Sequence, residues 1–116
     1  MIKAAEIKLN DITIAGLSQE SRFSLAYIAA HSLALAALRQ HGYRSENRYL
    51  VFQCLQHTLG WDATKWRVLD QCHKRRNVAE YEGHLDIDEQ LLNQLIATTQ
   101  GMLTDVKELT KTKTSK

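Results

Sequence analysis

The sequence predicts an all-α fold, an up-and-down bundle of about five helices, and three observations carry that reading. The 116 residues contain no proline and only five glycines, so few positions interrupt a helix. Hydrophobic residues make up 44% of the chain, enough for one continuous core with short connections. Apolar residues recur at helical rather than alternating spacing through most of the length. A chain of this size forms one domain, large enough for a single core and too small for two. We place it over residues 1–110, followed by a flexible basic tail over 111–116.

The first segment, from Ile2 to about Gly16, sets Ile7, Leu9, Ile12, Ile14 and Leu17 close to strand alternation. No partner strand occurs elsewhere, and a lone strand would leave its backbone groups unsatisfied, so a helix is expected. Ser18 offers the next N-cap, with Ser21 as an alternative. The second helix, about Gln19 to Gln40, carries Phe23, Ala26, Tyr27, Ala30, Ala34, Ala37 and Leu38 on one face and Leu25, Ile28, Ala29, Leu35 and Ala36 on the reverse. Such a helix is buried on two sides. Its six alanines between Ala26 and Ala37 permit close helix approach, inside the bundle or across a dimer interface. The apolar stretch over 23–38 is shorter than the roughly 20 residues a bilayer requires and includes Ser24, His31 and Ser32, so no membrane span is expected. Gly42, after His41, is the stop.

Ser45 caps a third helix from about Glu46 to Leu59, with Tyr49, Phe52, Leu55 and Leu59 inward and Gly60 beyond its end. Asp62 caps a fourth, which runs to Glu82 and ends at Gly83. Trp61 and Trp66 flank its start as core anchors rather than as stacking platforms for bases. A fifth helix, from about Asp86 to Leu109, buries Ile87, Leu91, Leu92, Leu95, Ile96, Met102, Leu103 and Val106. Asp86, Asp88 and Glu89 suit its positive N-terminus, and Gly101 weakens its middle enough to permit a kink. The second and fourth helices are expected at the centre.

The formal charge of +2 is not a signature of nucleic-acid binding by the domain. Residues 1–106 hold eleven Lys and Arg against twelve Asp and Glu, while residues 107–116 hold four Lys and one Glu. The basicity lies in the tail, at Lys107, Lys111, Lys113 and Lys116, where a solvated end is expected. Two cysteines, Cys54 and Cys72, without a signal peptide point to free thiols in a reducing cytoplasm.

Local logic fails in the fourth helix, over Lys74-Arg75-Arg76-Asn77-Val78-Ala79-Glu80-Tyr81-Glu82-Gly83. At about 100° per residue, Arg76, His73 and Glu80 share the arc that Trp66, Leu69, Cys72 and Ala79 mark as inward. Arg67, Gln71, Lys74, Arg75, Val78 and Glu82 take the solvated side. An inward Arg must be paired or face a crevice or a second chain, because a charge buried alone costs several kcal/mol, as an order of magnitude. Either Arg76 forms an i,i+4 ion pair with Glu80, or it belongs to a polar site in a groove.

The run Arg76-Asn77-x-x-x-Tyr81, late in the fourth helix of a short all-helical chain, resembles the signature of the HEPN superfamily, in which an Arg, a polar residue and a His follow one another within one or two turns. The stretch Ala36-Ala37-Leu38-Arg39-Gln40-His41-Gly42-Tyr43-Arg44 is similar to small stand-alone HEPN proteins as well. Tyr81 stands where the nuclease branch has His, and His84 follows outside the usual spacing. The resemblance implies a prokaryotic protein of RNA-processing, toxin–antitoxin or defence type, acting as a homodimer on RNA or a nucleotide, with a nucleotidyltransferase or antitoxin as a further partner.

Metal-independent RNA cleavage needs a proton acceptor, a proton donor and a cation for the phosphoryl charge. By resemblance, Arg76 binds phosphate, Asn77 positions the motif, and Tyr81 replaces His, with Lys74 and Arg75 as further nucleic-acid or nucleotide contacts. Tyr is a poor base near neutrality, with a reference pKa of roughly 10 against roughly 6.5 for His. His73 is either the substitute proton-transfer group or a hydrogen-bonded histidine at a helix contact. Two functions follow: a non-catalytic binding or partner module, favoured by the missing His, and an endoribonuclease using Arg76 with Tyr81 or His73 at a dimer cleft. A purely structural Arg76–Glu80 staple is the third.

Other chemistry lacks its pattern. There is no Gly-rich phosphate loop, serine elbow or convincing pair of carboxylates. Cys72 and His73 are adjacent and diverge by about 100°, which argues against zinc shared with Cys54 and His57. Neither metal nor cofactor is expected.

Overall fold

The computed structural model describes residues 2–14, 16–40, 42, 51–52, 54–83 and 88–114, without the side chains of 56–57, 63, 80–82 and 110–114. The fold is all-α. Four helices of two turns or more, α1 (Ile2–Asp11), α2 (Gln19–Gln40), α4 (Ala63–Glu82) and α5 (Glu89–Thr114), are joined by a single turn, α3 (Leu55–Thr58). Of the third helix expected over 46–59, Val51, Phe52 and α3 are helical, while Ser45, Tyr49 and the remainder up to residue 50 lie outside the described residues.

Local signals set several ends. Ser18 Oγ accepts from the Ser21 amide at 3.1 Å and caps α2. Asp62 Oδ1 accepts from the Lys65 amide at 3.2 Å and caps α4, and Gly83 closes that helix at φ 79° with its amide donating to the Ala79 carbonyl. Only glycine takes that left-handed position without steric cost. Asp88 Oδ1 accepts from the Gln90 amide at 3.0 Å where α5 starts at Glu89, and Asp86 and Ile87 lie outside the described residues.

In α1 the helical spacing prevails over alternation. Ala5, Leu9 and Ile12 are buried at i, i+4 and i+7, whereas Ile7 and Ile14 are more than half exposed. Helix α2 is the spine: Phe23, Tyr27, Leu33 and Leu38 are buried with all six of its alanines. Those alanines are used within the bundle, where α1 and α5 press on α2. By length and composition α2 is the candidate membrane span among the described residues, and its buried residues are those of a core helix.

The principal partner of α2 is α5, not α4. Leu91, Leu92, Leu95, Thr99, Met102 and Val106 make a continuous buried stripe on α5, while among the described side chains of α4 only Leu69 and Cys72 are completely buried. Helix α5 runs through Gly101 without a break and continues past Leu109 to Thr114. At 1.5 Å per residue its length of about 39 Å accounts for most of the 46 Å long axis.

The start of α4 is anchored by Trp61, which is buried and donates from Nε1 to Asp105 Oδ2 at 2.7 Å. Lys65 lies over the same ring, 5.4 Å from its centroid. At the opposite edge of α5, Lys107 pairs with Glu6 of α1.

Candidate functional site

The amphipathic reading of α4 holds for the residues whose side chains are described. Leu69 and Cys72 are buried, Trp66, His73, Arg76 and Ala79 are half-buried, and Arg67, Gln71, Lys74, Arg75 and Val78 are exposed. The half-buried polar residues do not face empty space. They meet Tyr27, which α2 presents at 1% exposure.

Tyr27 touches two of them in different ways. Its hydroxyl lies 2.8 Å from His73 Nδ1, and its ring lies beneath Arg76, whose guanidinium carbon is 4.7 Å from the centroid. The Tyr27 and His73 rings are near-parallel, with centroids 6.4 Å apart. Phe52 meets the Tyr27 ring edge-on at 5.8 Å and His31, one turn along α2, at 6.0 Å. The far nitrogen of the imidazole is also engaged, since Asn77 Nδ2 lies 3.2 Å from His73 Nε2.

The two bonds of His73 constrain its proton. With the Asn77 amide nitrogen donating, Nε2 is the acceptor, so Nδ1 carries the hydrogen and donates to the Tyr27 oxygen. Rotating the Asn77 amide reverses the order: Nε2–H then donates to the amide oxygen, and Tyr27 donates to Nδ1. In both arrangements Asn77 and Tyr27 hold the imidazole from opposite sides.

Arg76 forms no ion pair among the described residues. Its charge is accommodated by the face of a buried aromatic ring, an attraction of about 0.5–2 kcal/mol in proteins generally, and by partial access to solvent. The side chains of Glu80 and Tyr81 and the whole of His84 lie outside the described residues, so the Glu80 pairing and the Tyr81 substitution stay expectations.

The three basic residues do not act on one face. Arg76 turns toward α2, whereas Lys74 and Arg75 line a groove of about 560 Å³ between α4 and the start of α5, with Gln71, Val78, Gln90 and Gln94. Lys74 is also tied to Asp70 Oδ2 at 3.2 Å. Cys72 sits directly under the site, fully buried, and burial pushes its thiol pKa up to about 12. A thiol held protonated is neither a nucleophile nor a metal ligand near neutrality. Among the described residues no three His, Cys, Asp or Glu side chains gather to hold a metal ion.

Tyr27 is the site residue that the linear sequence conceals. The available signal was a Tyr on the apolar face of a buried helix, where the hydroxyl needs a partner. Which partner it finds depends on the packing of α2 against α4. Compared with protein-family models, curated proteins and solved structures, the chain matches none.

Proposed function

We propose that the chain is a HEPN-like binding module that recognises a phosphodiester of RNA through Arg76, and that it acts as a cytoplasmic homodimer in an RNA-processing, toxin–antitoxin or defence setting. The observation that carries this reading is the half-buried guanidinium of Arg76, lying over the Tyr27 ring at 4.7 Å from its centroid. A guanidinium already balanced by Asp or Glu would have to lose that partner to take up phosphate. One held on a ring keeps its N–H donors for an oxyanion.

A nuclease reading stands beside it because His73 and Arg76 share one aromatic neighbour. Binding is favoured over cleavage by the bonds of His73: both ring nitrogens are engaged, so proton abstraction requires one bond to open first. The test compares wild type and Arg76→Ala for binding to single-stranded RNA oligonucleotides across a salt series, with cleavage followed in chelator. We expect affinity to fall about 10- to 100-fold in Arg76→Ala, as for loss of one charge-assisted contact. Cleavage to 2′,3′-cyclic ends that depends on His73 would replace the binding reading with the nuclease one. Equal affinity of wild type and Arg76→Ala would remove both.

A further inference from the structure

We infer that Tyr27 of α2 is the positioning residue of this site, setting the Arg76 guanidinium with its ring and the His73–Asn77 pair with its hydroxyl. The inference rests on the RNA-binding reading for its consequence, but its geometry stands by itself. One side chain, 1% exposed, meets Arg76 at 4.7 Å from its ring centroid and His73 Nδ1 at 2.8 Å from its oxygen. Through His73 it reaches Asn77 at the solvent-facing side.

The two halves of Tyr27 have separable duties. The ring is braced by Phe52 edge-on and by Phe23 stacked at 6.4 Å, so it is a fixed surface rather than a mobile cover. A guanidinium resting on such a surface loses rotamer freedom before ligand arrives, and less remains to be lost on binding. The hydroxyl acts on a different group: it engages Nδ1 of His73, whose other ring nitrogen meets the Asn77 amide, and so holds the imidazole from the α2 side. Tyr27 touches no ligand in this scheme. It acts through Arg76 and His73.

The experiment uses the full chain with Tyr27→Phe, Tyr27→Leu, Arg76→Ala and the Tyr27→Leu/Arg76→Ala double variant. The readouts are affinity for a single-stranded RNA oligonucleotide against salt, the proton resonance of the Arg76 Nε–H, and the nitrogen shifts of the His73 ring. Tyr27→Phe retains the ring, so the Arg76 resonance keeps its ring-current shift and the salt slope is unchanged, while the His73 nitrogen shifts move as Nδ1 loses the Tyr27 hydroxyl. Tyr27→Leu abolishes the ring-current shift and lowers affinity by roughly 2- to 10-fold at a given salt concentration, as Arg76 must then be ordered on binding. The double variant then binds no more weakly than Arg76→Ala alone.

Additive losses in the double variant would overturn the inference, since Tyr27 would then contribute independently of Arg76. So would an unshifted Arg76 resonance in wild type. If Tyr27→Leu does not fold, the Tyr27→Phe comparison still decides: unmoved His73 nitrogen shifts sink the proposal. A salt slope that is the same in wild type and Arg76→Ala would end the RNA-binding reading, yet the two resonance measurements would still test the placement of Arg76 and His73 by Tyr27.

Discussion

The hydroxyl of Tyr27 lies 2.8 Å from Nδ1 of His73, joining α2 to α4 across 46 positions of sequence. The tyrosine is buried and the histidine half-buried, so water replaces this bond poorly if either partner is removed. Tyr27→Phe is expected to cost about 1–2 kcal/mol. A double-mutant cycle with His73→Leu in urea should give a coupling of about 1 kcal/mol. A cycle that closes to zero would mean that the contact adds nothing to stability.

Trp61 and Asp105 make a second long-range bond, at 2.7 Å. The indole is 5% exposed, and truncating its acceptor leaves a buried N–H without a partner. Asp105→Ala should therefore destabilise by about 1–3 kcal/mol, and Asp105→Asn, whose amide oxygen can still accept, by less. Lys74→Ala provides the comparison. It breaks an i,i+4 pair between an exposed lysine and the largely buried Asp70 and should cost less than Asp105→Ala, about 1 kcal/mol or below. Equal effects of Asp105→Ala and Lys74→Ala in thermal unfolding would deny the Trp61 bond its structural weight.

Gly101 is an exposed glycine inside a continuous helix, and a Cβ built there meets no atom within 4 Å. Its backbone is helical, so alanine introduces no strain and narrows the unfolded ensemble. Gly101→Ala should stabilise by about 0.5–1 kcal/mol. A decrease in unfolding midpoint would indicate that Gly101 is required by something other than the monomer fold, such as the close approach of a second chain.

The contrast between these residues explains what was legible in the sequence. Ser18, Asp62 and Gly83 were readable because a cap depends on three or four neighbouring residues, and each forms as its local pattern requires. Ile7 and Ile14 are spaced as in a strand, yet the helix expected there forms, and Ala5, Leu9 and Ile12 fall on the buried face while Ile7 and Ile14 do not. The importance of α5 was understated for a similar reason: its stripe is ordinary in sequence, and its weight comes from lying along the whole of α2. At the site, the conflict of Arg76 and His73 with an inward arc was visible on α4 alone. Its resolution by Tyr27 was not, because that pairing is set by the α2–α4 packing.

Cys72 provides a test of that packing beneath the site. The thiol is fully buried and its pKa is pushed up to about 12, against 9.0 for an unburied thiol, because burial penalises the thiolate. Above pH 9 the unfolded chain releases this proton while the native state keeps it, so the native state binds more protons and stability falls as pH rises. The contribution is complete below pH 9 and is lost between 9 and about 12. Its limiting slope is roughly 1.4 kcal/mol per pH unit. Lysines and tyrosines titrate in the same range, and Cys72→Ala separates them from the thiol. The variant should be less stable than wild type by roughly 1–2 kcal/mol at pH 7, through the lost volume, and the gap should narrow as pH rises from 9 toward 11. Alkylation gives the same information in native protein: half-buried Cys54 should react first, and Cys72 only at the rate at which the helices separate. A Cys72 modified as fast as Cys54, with a stability gap that does not change with pH, would mean that α4 does not pack on α2 as the Tyr27 contacts require.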